Sequence, residues 1–264
     1  MTNVVALETS DRSYGLRQVV RAEVIKLATL RSTLWALIVT FVGSVVVTVI
    51  ATNSVGHHDH AWYQGFDPTN QALSGLALVM LAFGVVGALA ATGEYSSGTI
   101  RSSLAATPRR NLFVVGKVLV LGSASLVVGE VITFTCFGVG EAVLRSGGAP
   151  TAALGAPGVL RALTLSGAFL ALLALLGLGL GLIIRHTAGA IATYVGITLL
   201  IPVLIQRMPG NPGRFTPVSI LANSVAAVVP QTRELTAPVG FLLMSVYAAV
   251  ALTLAAAMML RRDA

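Results

Sequence analysis

Apolar residues run in long, nearly uninterrupted blocks along this chain. Leu34 to Thr52 carries no charge, and Gln71 to Thr92 is a second block of the same kind. A third extends from about Leu112 to Gly140, with Lys117 near its start and Glu130 in its middle. Ala162 to Ile184 and Thr187 to Gln206 follow, divided only by Arg185 and His186, and Val239 to Leu260 is the sixth. A bilayer core about 30 Å thick is crossed by roughly 20 mostly apolar residues in a helix. None of the blocks alternates apolar with polar positions, as a barrel strand would. A helix is then the spanning element that satisfies its own backbone in lipid. The pattern predicts an all-α integral membrane protein with six transmembrane helices, over 34–52, 71–92, 112–140, 162–184, 187–206 and 239–260. Together they form one transmembrane domain over residues 34–264, preceded by a short N-terminal segment, 1–33.

The segments between the blocks add smaller elements. Residues 1–33 lack the apolar core of a cleaved signal, so the first span is expected to be retained. Tyr14 to Arg31 reads as an amphipathic helix lying at the membrane surface. At about 100° per residue, Leu16, Val19, Val20, Val24 and Leu27 share one broad face, and Arg17 and Lys26 border it. Glu23 breaks that face. Either it pairs with Lys26 or snorkels, or it meets a basic partner from an inner loop and pins the helix to the bundle. The stretch Gly93-Glu94-Tyr95-Ser96-Ser97-Gly98-Thr99-Ile100-Arg101 turns at Gly98. It leads into a short helix with Ile100 and Leu104 on one side, ending before Pro108. Such a helix reads as a docking knob, although spacing alone favours an ordinary polar loop. The loop Asn53 to Asn70 holds His57-His58-Asp59-His60. Adjacent side chains rarely surround one ion, so a polar loop is expected there rather than a metal site. The apolar run Val218 to Val229 is too short to span and suits a re-entrant or interfacial helix.

Composition agrees with this plan. Of 264 residues 55% are hydrophobic and 10% charged, against about 25% charged in a soluble domain. A single cysteine excludes a disulfide framework and a cysteine-based metal site. The net charge of +7 changes meaning once it is sorted by segment. Twelve of the 17 basic residues fall on the side of the N-terminus, which places both termini in the cytoplasm of a cell-membrane protein. They are scattered over several segments without aromatic interleaving, so no nucleic-acid partner is expected.

Catalytic signatures are missing. The Gly116-Lys117 pair has Asn111 where a phosphate loop needs its first glycine and Val118 where it needs Ser or Thr. No paired acids or nucleophile and base occupy the spans, so an enzyme is not expected and no cofactor is assigned to the chain. Gly177 and Gly181 match the G-x-x-x-G spacing, and with Gly84 and Gly87 they predict close helix packing, within one chain or between two. Glu130 is the one acid deep in a span, where a charge costs roughly 2.5–3.5 kcal/mol on insertion scales. It reads as a cavity or structural group, with a proton or cation site as the alternative. An ion- or proton-coupled carrier using Glu130 is therefore a second reading of function. Internal repeats that would support it are not evident between residues 1–140 and 141–264.

Three stretches carry a family likeness. They are Arg21-Ala22-Glu23-Val24-Ile25-Lys26-Leu27 with Leu30-Arg31-Ser32-Thr33, then Thr92 to Arg101 followed by Pro108-Arg109-Arg110, then Gly177 to Ile184 followed by Arg185 to Ala190. In these the chain resembles the permease subunits of type-2 ABC exporters, the short six-span bacterial kind. Fifteen arginines against two lysines look actinobacterial. The resemblance implies two permease copies facing each other, each held to a separate cytoplasmic ATPase subunit that binds ATP and Mg. It also implies that the first helix, with Glu23 and Lys26, and the loop residues Glu94, Tyr95, Gly98, Thr99, Ile100 and Arg101 couple the ATPase to the spans. The cargo would be a drug-like, lipidic or peptide compound moved outward.

Overall fold

The computed structural model describes residues 15–261, apart from Leu30, 56–62, 64, 107–109, 206–207 and 228–233; for 31–33 and 104–106 it describes the backbone alone. The described residues form helices and connecting turns without a strand. In chain order these are α1 (Leu16–Thr29), α2 (Arg31–Asn53), α3 (Pro68–Ala72), α4 (Leu76–Ser96), α5 (Thr99–Ala106), α6 (Arg110–Ser146) and α7 (Val159–Ile184). Then come α8 (Thr187–Val195), a π-helical turn (Gly196–Leu200), α9 (Ile201–Ile205), α10 (Pro217–Ser224) and α11 (Ala237–Arg261). Six helices are long and apolar enough to cross a membrane: α2, α4, α6, α7, α11 and the composite α8–π–α9. The chain is an all-α membrane protein.

α7 is the most buried of the spans and packs along α4, α6 and α11. Its fit to α4 rests on glycine. A Cβ on Gly177 would lie 2.0 Å from the Gly84 carbonyl oxygen, and one on Gly87 would lie 1.9 Å from that of Ala174. The small residues of both helices therefore serve contact within one chain. Gly84 also seats the Tyr194 ring of α8, whose hydroxyl donates to the Met80 carbonyl at 2.6 Å. α2 is the least buried span. Trp35, Val39, Ile50 and other large side chains face away from the bundle, toward lipid.

Two spans depart most from their expected limits and a third is interrupted within them, each for a local reason. The block beginning at Gln71 is split. Asp67 caps α3 by accepting from the Asn70 amide at 3.2 Å, and Gln71 spends its amide on the Ala51 carbonyl at the end of α2. A turn over 73–75 follows before α4 starts, because α2 presses there: a Cβ on Gly75 would lie 2.2 Å from the Ser44 carbonyl oxygen. α6 has 37 residues, about 55 Å at 1.5 Å per residue. It overruns the membrane core at both ends, where Arg110 donates to the Met259 carbonyl of α11 and Glu141 accepts from the Ala152 amide. In the fifth span Pro202 has no N–H to offer Thr198, and the π turn just before it absorbs the mismatch.

The run from Val218 folds as α10, shorter than expected. It packs on α11 and α7 at the end of the bundle away from α1, where Ile220 sits against Gly240. At the α1 end, α7 and α8 are joined by two residues. Arg185 takes a left-handed conformation (φ 60°), and His186 caps α8 by accepting from the Gly189 amide.

Candidate functional site

Four charged side chains from three helices meet at the α1 end. Glu23 and Lys26 stand on α1, three residues apart and so on one helix face. Glu94 is on the last turn of α4, and Lys117 is on α6, about 10 Å in from its first residue. They alternate in sign around a closed ring. Lys26 Nζ donates to Glu23 Oε1 at 3.0 Å and to Glu94 Oε1 at 2.9 Å. Lys117 Nζ donates to Glu23 Oε2 at 2.9 Å and to Glu94 Oε1 at 2.6 Å. Lys26 also donates to Ser103 Oγ on α5, and Lys117 to the Ala90 carbonyl. Each ammonium has three protons to give, and each has three acceptors here. The Phe113 ring underlies both, with its centroid 5.0 Å from Lys117 Nζ and 5.9 Å from Lys26 Nζ.

Glu23, Glu94 and Lys117 are buried, while Lys26 is half-buried. Burial alone lowers the pKa of Lys26, but bonding to Glu94 and Glu23 and their charges more than offset this, so it lies above the ordinary 10.5. Two acids and two bases cancel, which is what allows them to leave water together. The ring decides how α1 lies. Its contact stripe runs through Val19, which presses on Gly116 of α6, and through Glu23. Val24, inside the apolar face expected from periodicity, is exposed instead. Glu23 is the centre of the packing, and its partners are both Lys26 and a base from the third span, not from a loop.

The loop residues divide by direction. Glu94 and Ile100 are buried inside the chain. Tyr95 lies under the Arg185 guanidinium, 5.5 Å from ring centroid to Cζ, which ties the turn after α7 to the end of α4. Gly98 has φ 71°, a left-handed conformation that bends the chain between α4 and α5. Thr99 pairs its hydroxyl with that of Ser97 at 2.9 Å. Gly98, Thr99 and Arg101 are exposed, so these three form the outward face of the α4–α5 corner. α5 is helical through its last described residue, Ala106; the expected stop before Pro108, and Pro108 and Arg109 themselves, lie outside the described residues.

Glu130 is elsewhere, midway along α6. Its carboxyl packs over Gly167 of α7, where a Cβ would lie 2.5 Å from it. Its Oε2 is buried with no hydrogen-bond partner among the described residues, as are the hydroxyls of Thr133 and Ser166. His57, His58 and His60 lie outside the described residues. No group of three or more potential metal ligands occurs among those described.

Sequence reasoning passed over Lys117, Ser103 and Phe113 as site residues. One signal was available. An acid near the end of one span and a base near the start of the next stand at matching depth when the two helices are antiparallel neighbours.

Beside the ring lies a cavity of about 450 Å³. Its walls are apolar side chains of α1, α2, α4, α6 and α7, among them Leu27, Ala36, Val86, Leu121 and Leu178, and Glu94 and Lys117 stand at its polar end. The chain matches no protein-family model and no curated protein.

Proposed function

We propose that the chain is the membrane-spanning permease subunit of an ABC-type exporter and acts as a pair with a second copy. ATP and Mg are bound and used by a separate cytoplasmic ATPase subunit. On this reading the α1 end faces the cytoplasm of a cell-membrane protein, with both termini there. The observation that supports it most is how the α4–α5 corner is attached. Gly98, Thr99 and Arg101 present an exposed face to a partner, and directly behind them Glu94 and Ser103 join α4 and α5 to α1 and α6 through charge-assisted bonds. A push on the corner is then carried into two spans and the interfacial helix at once. An exposed loop hung on flexible contacts would absorb it. The absence of a phosphate loop in the sequence is consistent with leaving ATP chemistry to the partner.

The test is co-purification with the ATPase encoded beside this gene, repeated with Arg101→Glu. The intact chain should retain the ATPase through detergent extraction. The reversed charge should weaken retention and ATP-dependent transport by about tenfold, the scale of a charged interface contact. An ATPase that never co-purifies, together with transport indifferent to Arg101→Glu, defeats the proposal.

One observation favours a second reading, a carrier coupled to protons or cations: the unpartnered oxygen of Glu130 in the membrane interior. It requires that the chain alone, in liposomes, transport along an ion gradient and lose this in Glu130→Gln. The permease proposal expects the chain alone to transport nothing and Glu130→Gln to leave ATP-driven transport within about twofold of the parent, as a side chain remote from the coupling corner would.

A further inference from the structure

α1 turns one face to the bundle and leaves the opposite face uncovered. Val19, Glu23 and Lys26 are the packed side, against Gly116, Lys117 and Glu94. At about 100° per residue, Arg17, Arg21, Val24, Ile25 and Ala28 fall in one sector centred opposite that side. All five are exposed, Val24 at 49% and Ile25 at 53%. Two arginines and two large aliphatic side chains therefore share one uncovered stripe.

The depth of that stripe is set at two points. α1 ends at Thr29 and α2 begins at Arg31, so this end of α1 stands about one turn from Leu34, where the first apolar block begins. About 15 Å back along α1, Val19 presses on Gly116, just inside the apolar block that starts at Leu112. Both points lie where apolar sequence gives way to polar, so α1 runs along the boundary of the apolar layer. Trp35, beside the junction, is 64% exposed, an aromatic of the kind that sits at headgroup level.

Charge selects the partner. Among the described residues the acids of this end are Glu23 and Glu94, and both are buried and paired with Lys26 and Lys117. The exposed charges left at this end, Arg17, Arg21, Arg101 and Arg261, are all basic. A guanidinium pairs well with a phosphate, and aliphatic side chains next to it suit the edge of the acyl layer.

We infer that the outward face of α1 binds anionic phospholipid, Arg17 and Arg21 pairing with the phosphates while Val24 and Ile25 enter the acyl boundary. Lipid then occupies this face, which leaves a cytoplasmic partner the α4–α5 corner and not α1. The lipid site stands without the permease reading.

The experiment uses the full chain in phosphatidylcholine nanodiscs without an ATPase. Two probes are compared, a phosphatidylglycerol and a phosphatidylcholine, each with a photoreactive diazirine near the head end of one acyl chain. Crosslinked residues are mapped by mass spectrometry. The anionic probe should label Val24, Ile25 and Ala28 about tenfold more than the zwitterionic one, on the scale set by two arginines at an anionic surface. The preference should shrink as salt is raised. Arg17→Gln combined with Arg21→Gln should remove it, and Arg17→Lys combined with Arg21→Lys should keep it. Both arginines are exposed, so neither pair of substitutions should move the unfolding temperature in uncharged detergent. Equal labelling by the two probes, a preference that survives the glutamine substitutions, or one lost with the lysines would each overturn the inference. So would Val24 and Ile25 that no lipid probe labels and that only a bound ATPase shields, which would give the face to a protein partner. Failure in nanodiscs removes the lipid site and leaves the permease reading untouched; an ATPase that never co-purifies does the opposite.

Discussion

Lys117→Met should undo the α1 end of the molecule. The substitution keeps an unbranched side chain about as long as the lysine stem and removes the ammonium, leaving Glu23 and Glu94 buried with only Lys26 between them. Removing one partner from a buried ionic cluster costs about 3–5 kcal/mol, because the remaining charges stay desolvated without compensation. Here two carboxylates are stranded by one change, so the upper part of that range is expected. Thermal unfolding of the purified protein in detergent gives the measurement. The same charge logic predicts a partial rescue. Adding Glu23→Gln to Lys117→Met leaves one acid facing one base, and the double variant should recover part of the loss, a coupling that a double-mutant cycle reads directly. Additive losses, or a Lys117→Met protein as stable as the parent, would mean the ring does not hold α1 to the spans.

Much of this was legible in the sequence, and what was not has a common cause. The six spans are visible because lipid demands a long apolar block of each of them, a requirement local to each helix. The start of α5 was visible in Gly98, although spacing alone favoured a polar loop there, and its expected end at Pro108 lies outside the described residues. The limits of α4 were harder. The block from Gln71 reads as continuous, and it is broken by α2 pressing on Gly75 and drawing on Gln71, contacts with a helix some 20–30 residues earlier. Glu23 stood out as an acid on an apolar face, but its buried partner is 94 residues away on α6. Periodicity ranks the faces of α1 by hydrophobicity, and the face that packs is chosen by a lysine elsewhere in the chain, Lys117 of α6. Glu94 shows the same effect at the candidate site. In sequence it belongs to a polar loop next to Arg101, whereas in the fold it turns inward and Arg101 outward. Of the coupling residues implied by family resemblance, the structure brings Glu23, Lys26 and Glu94 into one cluster and sets Gly98, Thr99 and Arg101 on the surface beside it. The second oxygen of Glu94, buried without a hydrogen-bond partner among the described residues, had no signal at all in one dimension, because it is defined by what its neighbours have already bonded.

Gly177→Ala is the second large effect. A single methyl group added to the most buried span would stand 2.0 Å from a carbonyl oxygen and 2.8 Å from the carbonyl carbon of Gly84. No rotamer change relieves this, since both atoms belong to the backbone of α4. The two helices must move apart over the whole contact, and the fit of Gly87 against Ala174 and of Gly84 under Tyr194 is lost with it. Overpacking of a core costs typically 1–3 kcal/mol when side chains give way; with backbone on both sides about 3 kcal/mol or more is expected. The matched control is Gly138→Ala on α6, where a Cβ meets nothing within 4 Å. There the gain in helix propensity, about 1 kcal/mol at most, should leave the protein as stable as the parent or slightly more so. The pair also separates two uses of small residues. Had Gly177 and Gly181 formed a contact between two chains, Gly177→Ala would dissociate a dimer and spare the monomer's unfolding temperature. Packing inside one chain predicts the reverse, a lowered unfolding temperature that does not depend on protein concentration. Equal stability of the Gly177→Ala and Gly138→Ala proteins would show that α4 and α7 are not held at this distance, and with it would go the rigid frame from which the α4–α5 corner projects.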